Sequence, residues 1–342
     1  MKILILKPSS LGDVIHALPV LRLLRRHFAG CEVHWWLERG LLRLLEGDPD
    51  VARVIPFERQ RWKYPRHWGE LGAAVRELRR ERYDLIIDLQ SLLRTGGIAW
   101  LANGGFTIGL NDPREGARAF YDVVVERPSA TTHAVDWYLE VLRVLGVPVD
   151  WNFEWIPKRE TAAAAVQTRW KPEVGRWIAL QPGARWDNKR WPAEYFAELT
   201  RRLAEVHPDA RFAILGGAGD RELGGVVAGG APGRCVDLTG QTSLPEMIEW
   251  IRRCEMLVTN DTGPMHVAAA LGKPVLAMLG PTNPRRTGPY GQLQNVTQLS
   301  LPCVPCMKPE CSYEKPLECL RGISPGMIFD RVTAILAEAK VS

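Results

Sequence analysis

Short apolar runs alternate with longer segments of helical periodicity along most of the chain. Residues 3–6 form an apolar run typical of a buried strand, and a small-residue loop at 8–13 follows it. Apolar positions then recur at helical spacing over 14–28, and the next apolar run, 32–37, comes almost at once. Alternation of this kind predicts βα units built on a parallel sheet.

The same alternation occurs twice, on either side of an irregular segment. Strand-like runs at 85–89 and 121–125 extend the first series, and 146–160, with two prolines and two tryptophans, is typical of a linker. The pattern then restarts, with strands predicted at 177–180, 212–215, 256–259 and 275–279 and helices beginning near Pro192, Asp220, Leu244 and Pro264. The predicted fold is therefore α/β, with two Rossmann-like, doubly wound domains facing a central cleft.

Composition is typical of a soluble globular protein of about two domains. The chain has 342 residues, of which 46% are hydrophobic and 24% charged. No uncharged apolar run approaches the ~18 residues that a membrane-spanning helix needs. Lys7 interrupts the first apolar run after four residues, too early for an export signal. We therefore expect a cytoplasmic protein.

Positive charge is concentrated in one stretch that also carries aromatic residues. The net charge is only +5, which argues against a nucleic-acid-binding protein. Residues 59–82 contain eight Lys and Arg against three Glu, together with Trp62, Tyr64 and Trp68. Such a mixture suits an anionic, amphipathic surface such as phospholipid head groups or a phosphorylated glycolipid. A solvated helix face is an equally good interpretation of residues 76–82.

Three loops lead from an apolar strand through small or polar residues into a helix start, at 6–13, 215–220 and 259–266. Free N–H groups at a helix start, together with the helix dipole, favour a phosphate. Gly263 would let a diphosphate approach the backbone closely, and Pro264 suits the first turn of a helix.

None of these loops is specific alone. Asp13 and Asp261 could be ordinary helix caps, and Lys189, which precedes a predicted helix, could be a surface lysine or a cation that neutralises a departing phosphate. The chain has no GxGxxG after its first strand and no GxxxxGK[ST]. A nicotinamide enzyme and a P-loop phosphotransferase are therefore disfavoured.

Longer motifs in three parts of the chain carry a family resemblance. They are KILILKPSSLGDVIHALP at 2–19, QPG…NKRWP within 181–192, and VTNDTGPMHVAAALGKPV at 258–275, which LGPTNP follows at 279–284. In this order and at this spacing they resemble the lipopolysaccharide heptosyltransferases of glycosyltransferase family 9. The cysteines near the end of the chain resemble those of the heptosyltransferase type that adds the second heptose.

The resemblance implies a GT-B fold, an ADP-heptose donor bound by the C-terminal domain and an acceptor in the lipopolysaccharide inner core bound by the N-terminal domain. It also implies inversion at the anomeric carbon, no cofactor and no catalytic metal. We expect domains at 1–155 and 156–324, with a C-terminal helix at about 325–342 that could pack back on the first domain. A peripheral position at the inner face of the bacterial inner membrane would follow.

Roles for single residues follow from the resemblance position by position. Asp13 becomes the general base, since a sugar hydroxyl must lose its proton as the new bond forms. Lys189 becomes the cation that meets the charge of the departing ADP. The predicted donor contacts are Arg185, Asp220, Thr242, Asp261, Thr262, Gly263 and His266. Asp220 departs from members that carry glutamate there. The predicted acceptor contacts are Ser9, Ser10, Gly12, Arg61 and Lys63.

Two further motifs allow metal-related interpretations. Asp48-Pro49-Asp50 has the form of a metal-binding Asp-x-Asp pair, but we interpret it as a turn because it lies outside the donor-binding half. Four cysteines, Cys303, Cys306, Cys311 and Cys319, have the number and closeness of a structural zinc site. Reduced thiols packing a loop and a redox role are the alternatives.

Two other functions stay open at this stage. A related enzyme could use another nucleotide sugar or another acceptor, and a noncatalytic protein of the lipid surface could have kept the same fold.

Overall fold

The computed structural model describes residues 1–338 and divides into two compact units, Met1–Pro157 and Lys158–Ser342. Each unit is built on one six-stranded parallel sheet. The predicted α/β, doubly wound fold is confirmed.

The strand order in the first unit is β3-β2-β1-β4-β5-β6. Successive strands are therefore added on one side of β1 up to β3 and on its other side from β4 onwards. Branched and aliphatic residues fill the central strands, and β1 is almost wholly buried. The strands are β1 Lys2–Leu6, β2 Glu32–Glu38, β3 Arg53–Phe57, β4 Leu85–Asp88, β5 Phe106–Leu110 and β6 Val123–Val125. The helices are α1 Leu11–His27, α2 Leu42–Leu45, α3 Trp68–Glu81, α4 Leu93–Ala102 and α5 Ala134–Val144.

The second unit repeats the arrangement, in the order β12-β11-β10-β7-β8-β9. Its strands are β7 Arg176–Gln181, β8 Ala210–Ile214, β9 Cys235–Asp237, β10 Met256–Asn260, β11 Val275–Met278 and β12 Val296–Thr297. Its helices are α6 Glu160–Trp170, α7 Ala193–Val206, α8 Arg221–Ala228, α9 Leu244–Arg253, α10 Gly263–Ala270, α11 Pro284–Thr287, α12 Glu318–Arg321 and α13 Pro325–Glu338.

The C-terminal helix belongs to the core of the second unit. Ile328, Val332 and Leu336 of α13 are buried in the same apolar cluster as Phe196 and Leu203 of α7. Packing of this helix back on the first domain was one expectation, but its apolar stripe is buried against α7. Its predicted continuation over 339–342 lies outside the described residues.

Candidate active site

A cavity of about 460 Å³ opens in the second unit where β7, β8 and β10 end. Ligands bind at the carboxyl ends of strands in open parallel sheets, and this position agrees with that rule. The wall is chemically divided: Arg185 and Arg190 contribute cations, while Leu244 and Met247 from the start of α9 form an apolar side. Its wall can therefore contact both an anionic part and an apolar part of one molecule.

Three predicted donor contacts line this cavity besides Arg185: Asp220, Thr242 and Thr262. A carboxylate oxygen of Asp220 accepts a hydrogen bond from the Gly217 N–H at 2.8 Å, which fixes the loop after β8. The same carboxylate lies so close to Gly183 that a Cβ there would be 2.4 Å from the Asp220 Cγ. A residue with a Cβ at position 183 would therefore displace the Asp220 carboxylate from this position.

The start of α10 contributes to the cavity through Thr262 and Pro264, with Gly263 between them. Thr262 is the N-cap residue, so the positive end of the α10 dipole lies at the cavity wall. Asp261 is therefore not the cap of this helix, although the sequence allowed it to be an ordinary helix cap. His266, one turn further along α10, is buried.

Lys189 lies in a short turn, residues 187–189, and is held from two sides. Its Nζ donates to Asp261 Oδ2 at 2.6 Å and lies 4.8 Å above the Trp186 ring. The hydroxyl of Thr282 donates to the same Asp261 oxygen at 2.6 Å. Two loops and a strand end thus fix one lysine, which remains partly exposed.

Asp13 lies in the first turn of α1 in the first unit. Its Oδ2 accepts hydrogen bonds from the Ser10 N–H at 2.9 Å and the Ser10 hydroxyl at 2.8 Å. Asp13 therefore does serve as part of a capping box, and its side chain is nevertheless 37% exposed. Of the other loop residues predicted to contact the acceptor, Ser9 is half-buried and Gly12 is buried.

A buried cation lies beside Asp13 that the sequence analysis did not connect with the site. Lys7 Nζ is 4.0 Å from Asp13 Oδ1, donates to the Leu89 carbonyl at 3.0 Å, and lies 4.9 Å above the Tyr138 ring. Burial alone would lower the pKa of Lys7, but Tyr138 and Asp13 offset it and the pKa is raised. A lysine directly after a fully apolar strand was the signal that could have identified it.

The basic stretch is only partly the exposed surface that was expected. Arg61 forms a salt bridge with Glu70, and Lys63 Nζ donates to Gln60 at 2.9 Å, both on the surface. Trp62, however, stacks on Trp36 and packs against the core of the first unit. Trp62 is thus half-buried, because Trp36 of β2 offers it a ring to stack on.

The Asp-x-Asp sequence is a turn bound to a guanidinium, as interpreted. Arg22 donates to both oxygens of Asp48 at 2.6 Å and to Asp50 at 2.7 Å. Both carboxylates are thus engaged by a buried arginine of α1.

Comparison with known proteins agrees with this geometry. Residues 71–317 match the description of glycosyltransferase family 9 (heptosyltransferase). Lipopolysaccharide heptosyltransferase 1 of Pseudomonas aeruginosa is 31% identical, over 98% of both chains. The chain belongs to glycosyltransferase family 9. Lipooligosaccharide heptosyltransferase 2 of Haemophilus influenzae is 28% identical, over 99% of this chain and all of the relative.

A solved structure extends the likeness to three dimensions. The E. coli heptosyltransferase solved with ADP-2-deoxy-2-fluoro heptose superposes with a TM-score of 0.76 at 25% identity, over 98% of this chain and 99% of that one. The predicted family, its GT-B fold of two Rossmann-like domains and the enzyme class of glycosyltransferase are confirmed.

The four cysteines of this family 9 protein gather around a second, small cavity. All four are free thiols. Burial, and to a smaller extent the charges of the other three thiols, raises the pKa of Cys319 to about 11. Within residues 1–338 no three His, Cys, Asp or Glu side chains lie close enough to share a metal ion. The side-chain amide of Asn188, the residue before Lys189, donates a hydrogen bond of 2.9 Å to the Lys308 carbonyl in the same loop.

Proposed function

We propose that this protein transfers heptose from ADP-heptose to a sugar hydroxyl of the lipopolysaccharide inner core, with inversion and without a catalytic metal. The observation that supports this most directly is the cavity of the second unit, where a helix start and two arginines adjoin an apolar wall. A nucleoside diphosphate sugar has the matching parts.

The donor diphosphate would lie at the start of α10, against Thr262 and Gly263. The N–H groups there and the helix dipole favour negative charge. The adenine would lie against Leu244 and Met247, and Asp220 with Thr242 would meet the ribose. Arg185, Asp261 and His266 complete the proposed donor contacts.

Departure of ADP builds negative charge on the outer phosphate, and Lys189 is the group proposed to meet it. Because Asp261 and Trp186 already hold this lysine, little reorganisation would be needed in the transition state. A fixed cation and helix-start amides can in principle supply the stabilisation that other transferases obtain from a metal.

Asp13 would accept the proton of the attacking acceptor hydroxyl. Attack on the face opposite to ADP would then give inversion. The carboxylate is kept near the start of α1 by Ser10, and Lys7 favours its ionised form. Ser9, Ser10 and Gly12, with Arg61 and Lys63 at a distance along the chain, are the proposed acceptor contacts.

The reaction is proposed to take place at the inner face of the bacterial inner membrane, on a lipid-anchored acceptor. No helix in the described part of the chain combines the length and apolar character needed to cross a bilayer. Work from the cytoplasm as a peripheral enzyme is part of the same proposal.

Replacing Asp13 by Asn tests the proposed base. Asparagine keeps an oxygen that can accept the Ser10 hydrogen bonds, so the cap is retained while the base is lost. We expect kcat to fall by about 10² or more. Glu160→Gln changes another first-turn acid and should leave kcat unchanged. Turnover by Asp13→Asn within about threefold of the wild type would rule out this base.

Nucleotide selectivity tests the proposed donor. A ligand that binds only the folded state raises Tm, so ADP should stabilise the protein and UDP or GDP should not. A panel of sugar donors and core acceptors, followed by mass spectrometry of the extended glycolipid, then identifies the sugar and the acceptor. Stabilisation by UDP instead of ADP would favour the alternative of a family member with another donor.

A further inference from the structure

Helix α4 carries apolar residues both on the face that packs on the core and on the opposite, outer face. Its inner face, which includes Ile98, Ala99 and Ala102, is buried in the core of the first unit. Its outer face carries Leu93, Trp100 and Leu101, which are 54%, 64% and 37% exposed. Apolar residues of a surface helix normally face the core, so these exposed side chains leave the outer face without a covering partner among the described residues.

The outer residues form one stripe because they lie seven and eight positions apart. Gly97 falls between them, and a Cβ built there would have no atom within 4 Å. The described chain therefore leaves the middle of the stripe uncovered, and its ends at Leu93 and Trp100 are more than half exposed. We call these residues, Leu93, Gly97, Trp100 and Leu101, the α4 stripe.

Helix α3 packs beside α4 and extends the exposed surface. Trp68, at its first position, is 60% exposed, and Tyr64, shortly before it, is 54% exposed. Aromatic side chains with an apolar body and a polar edge favour the boundary between water and lipid.

Positive charge is carried by the same two helices. Four exposed arginines carried by the two helices form no salt bridge with any residue that the structure describes: Arg76, Arg79, Arg80 and Arg94. By contrast, Arg53 and Arg61 are neutralised by glutamates of α3. An apolar stripe next to unpaired arginines is complementary to a surface that is itself apolar beneath an anionic layer.

We propose that the α4 stripe, with Trp68 of α3 and the neighbouring arginines, is the surface by which this protein binds a bilayer that contains anionic phospholipids. Trp100 enters the interfacial region, and the arginines meet the head groups. The proposal deepens the proposed function, since a lipid-anchored acceptor would require such a surface. It moves the apolar contact from Trp62, which is stacked on the core, to a helix outside the basic stretch.

The test measures partition of the full chain onto sucrose-loaded vesicles of phosphatidylcholine alone or with about one third phosphatidylglycerol, with no substrate present. The wild type should bind the anionic vesicles, and binding should weaken with salt. Trp100→Ser should lower the partition coefficient about tenfold, the loss expected for an indole that no longer enters an apolar phase. Trp151→Ser is the matched control, since Trp151 is 47% exposed but lies in the segment that ends the first unit.

The electrostatic part has its own variant. Arg76→Gln with Arg79→Gln and Arg80→Gln should remove most of the preference for anionic vesicles while circular dichroism stays unchanged, because all three side chains are exposed. Equal binding by the wild type and Trp100→Ser would overturn the proposal. So would a wild-type dimer in sedimentation that Trp100→Ser converts to monomer with vesicle binding intact, because a second copy would then cover the stripe.

The result is separable from the donor assignment. A protein that binds anionic vesicles through Trp100 but gains no stability from ADP would keep this surface and lose the proposed donor. A protein that ADP stabilises but that does not bind vesicles would keep the proposed donor and lose this surface.

Discussion

Lys189 and Asp261 form an ion pair of 2.6 Å, and the hydroxyl of Thr282 donates to the same carboxylate oxygen. The pair joins the turn after β7 to the loop after β10, two segments that are 72 residues apart in the chain. Asp261 thus positions the lysine, and the lysine side chain keeps one side open. A cation held in this way suits the stabilisation of charge that develops late in a reaction.

Replacing Lys189 by Met should therefore reduce turnover much more than folding. The change keeps the length of the side chain and removes the charge, so we expect kcat to fall by roughly 10² to 10³. Asp261→Asn leaves the lysine in place but less well oriented, and should give a smaller loss of kcat with a raised donor KM. Steady-state kinetics with saturating acceptor measure both.

A matched lysine provides the control for this pair of variants. Lys171, at the end of α6, is exposed, and Lys171→Met should leave kcat within twofold. If Lys189→Met also keeps kcat within threefold, the ion pair is a structural link between two loops and not the group that meets the leaving ADP.

Lys7 should set the pH range in which the enzyme works. Its buried ammonium lies 4.0 Å from Asp13 and also faces Tyr138, Asp88 and the Leu89 carbonyl. Two groups further out, Asp112 and Arg114, form a salt bridge with each other and interact with Lys7 and Asp13 respectively. A nearby cation favours the carboxylate form, so removing it disfavours ionised Asp13.

Lys7→Met should accordingly move the acidic limb of the kcat/KM profile to higher pH. At low pH the variant then loses activity first, and at high pH it approaches the wild type. Stabilisation by ADP, measured as the rise in Tm, should not change, since the proposed donor contacts lie in the second unit. A uniform loss of activity at every pH would show that Lys7 acts through packing alone.

Four of the predicted donor contacts come together in the structure because they lie in loops between strongly patterned strands. Arg185, Asp220, Thr242 and Thr262 meet at one cavity, since parallel strands bring their carboxyl ends to one edge of a sheet. Met247 was missed because an apolar residue in an amphipathic helix carries no sign that distinguishes a cavity wall from a core.

Other features depended on tertiary contacts that pattern does not encode. Strand β5 was missed because Phe106–Leu110 contains a glycine, and it is Tyr121 that packs over Gly109 and completes the layer. Trp62 and Trp100 are both tryptophans of the first unit, yet one stacks on Trp36 and the other is 64% exposed. Only the positions of β2 and α4 decide which is exposed.

The ion pair between Arg22 and Asp48 should contribute strongly to stability. Both side chains are buried, and two parallel hydrogen bonds of 2.6 Å join them. Asp48→Ala would leave a buried guanidinium with one carboxylate fewer, so we expect the free energy of unfolding to fall by about 3 to 5 kcal/mol. Urea denaturation followed by fluorescence measures it.

Asp50 is the matched control because it binds the same arginine from a more exposed position. Asp50→Ala should cost about 1 kcal/mol, and its kcat should not respond to added Mn²⁺. Loss of activity in Asp50→Ala that divalent cations partly restore would contradict the assignment of this sequence as a turn and would support a metal-binding pair.

The four cysteines should differ in reactivity according to their surroundings. Burial, with the neighbouring thiols, raises the pKa of Cys319 to about 11, whereas Cys311 is exposed. Only the thiolate reacts, and at pH 7.5 a thiol with this pKa is ionised to the order of 10⁻³ to 10⁻⁴. Iodoacetamide should therefore label Cys311 well before Cys319, as read by peptide mass spectrometry.

Raising the pH distinguishes two causes of slow labelling, a small thiolate fraction and binding of the thiols to a shared metal ion. Well below its pKa a thiol gains about tenfold in thiolate for each pH unit, so labelling of Cys319 should accelerate about 100-fold between pH 7.5 and 9.5. Cys254, whose pKa burial raises to about 12, should remain slower than Cys319 throughout. If instead all four cysteines of the cluster resist labelling at both pH values and react together after a chelator is added, they hold a common metal ion and the interpretation as packed thiols is wrong.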